Sequence, residues 1–115
     1  MDDLIAFIGA RLDEDEAAAK AAAEATGCPI WGIAGNISAR ASRTIVTSGH
    51  IEVGSEAEAL HIAEWNPARV LREVEAKRAI VLVASKVLGD GRLFVLGQLA
   101  TAWSDHPDYR DEWKP

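Results

Sequence analysis

The chain has 115 residues, 49% hydrophobic and 26% charged, with a formal net charge of −6 and one cysteine, Cys28. That composition belongs to a folded domain rather than a disordered segment, and the length suits a single domain (1–115) that needs no disulfide or metal to hold its core. A lone cysteine excludes an internal disulfide, and the longest apolar run, Ala79 to Ala84, is far below the roughly 18–20 residues of a membrane helix.

The charge is unevenly placed. Residues 1–26 carry seven acids against two bases, residues 55–88 balance five against five, and residues 89–115 carry five acids against three bases. No basic stripe is present, which argues against a nucleic-acid partner, because phosphate neutralisation supplies most non-specific affinity. Asp2 and Asp3 follow Met1, where a secretory leader needs positive charge, so the expected location is cytoplasmic.

Residues 2–25 are expected to be a long helix. Leu4, Ile8 and Leu12 fall on one face with Ile5 beside them, alanines dominate from Ala17 to Ala25, and Glu16 pairs with Lys20 at i, i+4. Thr26-Gly27 ends it and Pro29 prevents its return. Residues 30–54 change to strand character: Trp31, Ile33 and Ile37 alternate, Thr44 to Thr47 is β-branched, and Ile51 and Val53 alternate again after a turn at Ser48-Gly49. Two or three antiparallel strands are expected here, with the Trp31/Ile33/Ile37 face buried. Gly35 to Arg43 reads as a loop.

Ser55 with Glu58 predicts a capping box opening a helix to Trp65. Asn66-Pro67 is a strong cap for a helix running from Pro67 to about Leu88, with Val70, Leu71, Val74, Val81 and Leu82 on one face or its flank and Glu73/Lys77 and Glu75/Arg78 supporting the other side. The run 79–84 is apolar all round, so a hairpin through Gly89-Asp90-Gly91 competes with a helix there; a break at the glycines and a further helix from Arg92 to Trp103 is preferred. In the tail, Pro107 can open a turn that makes Tyr109 and Trp113 neighbours. The expected class is therefore α+β and mainly helical: a long N-terminal helix, a small antiparallel sheet, about three helices and a C-terminal turn.

Residues 1–16 (MDDLIAFIGARLDEDE), 61–78 (HIAEWNPARVLREVEAKR) and 105–115 (DHPDYRDEWKP) resemble a family of uncharacterised small proteins, of unknown function, from Streptomyces and related actinobacteria. The resemblance implies a compact intracellular protein of an actinobacterium or its phage, with the middle segment helical. It carries over no catalytic residue. Some relatives have a cysteine-bearing insert before the tail that could hold a metal; this sequence lacks it.

The chain has no phosphate-binding loop, zinc-protease, nucleophile-elbow or paired-cysteine motif. A metal site would draw on His50, Glu52, Glu58, His61, Glu64 and His106, but Glu58 and His61 form only one E-x-x-H where carboxylate bundles use two. His61 then reads as a boundary residue, and no cofactor is expected. Cys28 before Pro29 reads as a small hydrophobe. Asp105, His106 and Asp108 are explained by capping and by Pro107 as well as by acid–base chemistry.

Four tryptophans and the acidic run Asp13, Glu14, Asp15 and Glu16 point to a protein-interaction module, with a partner protein or self-association. Trp113 and Tyr109 are candidate partner contacts, weighed against folding back to seal the core. One alternative is a small nucleic-acid regulator using Arg40 and Arg43. Another is a small-ligand binder or enzyme near His61 and His106.

Overall fold

The first turn of α1 (Asp2–Thr26) places Asp2 and Asp3 at the positive end of the helix dipole. Leu4, Phe7, Ile8 and Leu12 are buried along one face. The helix stops at Gly27, whose φ of 67° is left-handed and suits glycine. There the Thr26 hydroxyl donates to the Ala22 carbonyl at 2.8 Å. The computed structural model describes residues 1–34, 44–46, 50–87 and 89–115.

Three segments of three residues follow: β1 (Gly32–Ala34), β2 (Thr44–Val46) and β3 (His50–Glu52). They pair antiparallel in the order β1-β2-β3, with Ile33 opposite Ile45 and Ile45 opposite Ile51. Then come α2 (Glu56–Glu64), α3 (Pro67–Val87), a 3-10 turn at Gly89–Gly91, α4 (Arg92–Ala100) and 3-10 turns at Thr101–Trp103 and Asp111–Trp113. Strand content is minimal, and the fold is mainly helical.

The caps explain where the helices begin. The Ser55 hydroxyl accepts the Glu58 N–H at 3.1 Å, while the Glu58 carboxylate takes the N–H of Gly54 rather than that of the cap residue. The Asn66 side-chain oxygen accepts the Arg69 N–H at 3.0 Å, and the Pro29 carbonyl takes that of Ala68 at 2.8 Å. The amides at the start of α3 are thereby occupied.

Among the described residues the chain divides into two compact units, residues 1–15 with 73–115, and residues 16–72. In the first, Leu4, Phe7, Ile8, Leu12, Val74, Ala84, Leu96, Ala100 and Trp113 are buried. In the second, Ile45, Ala59 and Ala63 form the core, with Trp31, Val53 and Ile62 packed on it.

The helical alternative holds for residues 79–87 and 92–100, and several details differ from expectation. Leu82 is 55% exposed, because α3 turns Val74 and Ala84 inward instead. Arg78 bonds Asp13 at 2.7 Å. α4 tightens to a 3-10 turn after Ala100, and the tail's short helix forms at Asp111–Trp113 instead of opening at Pro107. Ile37 and the Ser48-Gly49 turn lie outside the described residues.

Candidate functional site

α3 is apolar on two sides, and one of them is open. Its inward side carries Val74 and Ala84. Its outward side carries two rows at helical spacing: Ala76, Ile80, Val83 and Val87, and beside them Glu75, Ala79, Leu82 and Lys86. Both alanines and both charged residues are exposed. Ile80 is 43%, Val83 54%, Leu82 55% and Val87 71% exposed. Full burial of one such side chain is worth about 1.5–3 kcal/mol. A helix that is apolar all round is ordinarily covered. Ala79, Ile80, Val83 and Ala84 with Val95 of α4 line a groove of about 270 Å³ on this face.

A second concavity, polar and about 300 Å³, lies in the other unit. Trp31, Gly32, Leu60, Ala63, Glu64, Asn66, Arg69 and Arg72 line it. The Trp31 indole N–H donates to the Cys28 carbonyl at 3.0 Å, which fixes the ring. Arg69 bonds Glu64 at 2.7 Å and lies 4.3 Å from the centre of the Trp65 ring. Arg72, one turn on, is exposed.

The tail is tied down by an arginine and a set of rings. Trp113 is 5% exposed, with ring centres 5.0 Å from Phe7 and 5.8 Å from Tyr109. The Arg11 guanidinium, 5.2 Å from the Phe7 ring, donates to His106 Nδ1 at 2.8 Å, touches His106 Nε2, and bonds Glu14 at 2.8 Å. His106 Nδ1 also accepts the Asp108 N–H at 3.0 Å. Arg110 bonds Asp3 at 2.9 Å.

Sequence reasoning missed Phe7 and Arg11. The signal was present: both sit at core spacing from Leu4 and Ile8, and an arginine at such a position needs a partner, which the tail supplies.

The other expected residues are placed as follows. The acidic run is already engaged within the chain: Asp13 with Arg78, Glu14 with Arg11, Glu16 with Lys20 at 2.6 Å, and Asp15 with the Trp103 indole. Burial pushes the Asp15 carboxyl above its ordinary range, against the opposing pull of Lys77 and the Trp103 hydrogen bond. His61 is exposed beside Trp65, ring centres 6.3 Å apart, and the Glu58 carboxylate accepts the Gly54 N–H just before α2. His61 and His106 belong to different units. Arg40 and Arg43 lie outside the described residues, as does the side chain of His50. Cys28 donates its thiol to the Ile30 carbonyl at 2.8 Å.

Among the described residues, no three His, Cys, Asp or Glu side chains gather as a metal would require, and no helix is long and apolar enough to cross a membrane. No curated protein and no solved structure matches the chain. The model of a family of unknown function, DUF6221, matches residues 1–115 throughout, and the chain belongs to that family.

Proposed function

We propose that this protein is a non-enzymatic interaction module that binds protein through the outer face of α3. The observation that carries the reading is the exposure of Ile80, Leu82, Val83 and Val87 on one side of a regular helix whose other side holds Val74 and Ala84 in the core. A continuous apolar face of this kind marks an interaction site more often than bare surface. The engagement of the acidic run and of Trp113 inside the chain supports a structural role for those residues and leaves α3 as the stronger docking surface.

In the same reading residues 1–115 act as one cytoplasmic domain, and the three paired strand segments form one small antiparallel sheet. The segments 61–78 and 105–115 support an actinobacterial or actinophage source.

The test is capture with tagged protein from an actinobacterial lysate, using wild type and an Ile80→Asp/Val83→Asp variant with matching circular dichroism. Loss of a stoichiometric protein with the variant is expected. Identical capture by both baits would remove α3 as the docking surface.

A second reading rests on the polar cleft. An indole wall with Arg69 and Arg72 one turn apart suits a small anion on a flat ring, since guanidinium groups pair with carboxylate and phosphate. Titration with adenosine monophosphate, with Arg72→Ala alongside, tests it; no heat of binding in the wild type ends it.

A further inference from the structure

The outer face of α3 says what kind of partner it fits. Its two rows run nearly parallel along the helix. The inner row, Ala76, Ile80, Val83 and Val87, is uncharged throughout. The flanking row begins at Glu75, continues through Ala79 and Leu82, and ends at Lys86. Glu75 and Lys86 are both exposed, and no ion pair joins either to another residue among those described.

Both rows have nearly the same midpoint, between Ile80 and Leu82. A two-fold axis through that midpoint, perpendicular to the helix, lays the face on a copy of itself running the opposite way. Ile80 then meets Val83 of the copy, and Ala76 meets Val87. Because such an axis keeps the flank on the same side in both copies, Glu75 of each chain comes beside Lys86 of the other. A parallel arrangement would send the two flanks to opposite sides and leave all four charges without partners.

Small residues favour the same geometry. Ala76 and Ala79 let two helix axes approach to about 8 Å. The groove of Ala79, Ile80, Val83, Ala84 and Val95, about 270 Å³, receives the copy's Ile80.

We propose that the partner on this face is a second copy of the chain, packed as an antiparallel α3–α3 pair around the midpoint of 80 and 82, with Glu75 opposite Lys86 at both ends. The proposal deepens the reading of α3 as the docking surface and rests on it. One helix face is small beside the roughly 800 Å² per partner of a standard interface, so the dimer is weak and concentration-dependent.

Sedimentation equilibrium of the full chain over a wide range of concentrations tests this, with Glu75→Lys, Lys86→Glu, the double variant, and an equimolar mixture of the two single variants. The wild type is expected to pass from monomer to dimer. Each single variant should weaken dimerisation about fivefold, since it sets like charges together at both ends of the pair. The double variant and the mixture should return to within about twofold of the wild type, because each restores opposite charges.

A wild type that stays monomeric throughout overturns the second-copy partner. If Ile80→Asp/Val83→Asp still loses a captured protein in that case, the docking surface itself stands. A dimer that ignores all four charge changes overturns the antiparallel register. Val83→Asp serves as the folding control: it should abolish the dimer with an unchanged circular dichroism spectrum, and a dimer persisting in it also overturns the proposal.

Discussion

The two units of this chain hold their cores by different means. In the unit of residues 1–15 and 73–115, large side chains do the work: Leu4, Ile8, Leu12 and Leu96 are essentially inaccessible, and Trp113 closes over Phe7. In the unit of residues 16–72, Ile45 is the large fully buried side chain among the described residues, and Ala59 and Ala63 are small. The first unit therefore has contact area enough to fix a chain terminus while leaving one face of α3 open. Among its described residues the second unit buries fewer large side chains, and its concavity is lined largely by polar and charged groups. Among the described residues, large buried side chains and an open apolar helix face belong to the first unit, and a polar concavity belongs to the second.

The contrast is broken most severely by emptying the aromatic closure. Trp113→Ala should cost about 3–5 kcal/mol, as large-to-small core changes do. Urea unfolding measures this, and a loss under about 1 kcal/mol would mean the tail is only laid on the surface.

Arg11→Ala should come next, at about 2–3 kcal/mol. It removes charge-assisted hydrogen bonds to His106 and Glu14 together with its packing on Phe7. Arg11→Lys should recover little, because one ammonium cannot span two partners as the guanidinium fork does. A lysine variant as stable as wild type would contradict the bonding described.

Gly97→Ala probes the seat of the tail on α4. A Cβ at Gly97 would stand 2.6 Å from the Trp113 carbonyl oxygen, so the tail backbone must move. A loss of about 1–3 kcal/mol is expected, with a change in tryptophan fluorescence. A stabilised variant, as ordinary helix propensity would give, would show that the close approach is absent.

The smallest effect is pH-dependent. The folded-state pKa of Asp15 lies above its unfolded value, with burial as the main cause. Its contribution to stability is thus fully present below the ordinary carboxyl value and is lost as pH rises through the raised one. At neutral pH the half-buried carboxylate works against the fold. Asp15→Asn keeps an acceptor for the Trp103 indole without the charge. It should match or exceed the wild type at pH 7, and the gap should shrink toward about pH 4. Urea midpoints at the two pH values give the answer; a gap that widens on acidification would reverse the assigned sign.

Helix boundaries were the most legible part of this fold. Asn66-Pro67, Ser55 with Glu58, and Thr26-Gly27 each act through a few neighbouring atoms, and each stands where local chemistry puts it. The tail's closure was legible as an alternative, because Tyr109 and Trp113 are spaced to meet. What could not be read was which way α3 faces. The run from Ala79 to Ala84 is apolar in every direction, so periodicity selects no inward side, and Leu82, expected on the Val74 face or its flank, is 55% exposed. Arg11 was missed although its core spacing from Leu4 and Ile8 is visible in the sequence, because the partner that makes its burial possible is 95 residues away. The exposed apolar face of α3 escaped notice because it consists of residues that ordinarily belong to a core.

Sedimentation velocity on three proteins at matched concentration tests the central claim most directly, that the aromatic tail is internal structure and the outer face of α3 is the docking surface. Wild type and Trp113→Phe should sediment with the same dimer content, the latter with a lower melting temperature. Val83→Asp should sediment as a monomer that melts close to wild-type monomer. If Val83→Asp keeps the dimer while Trp113→Phe loses it, the roles assigned to the two surfaces are reversed and the account is wrong.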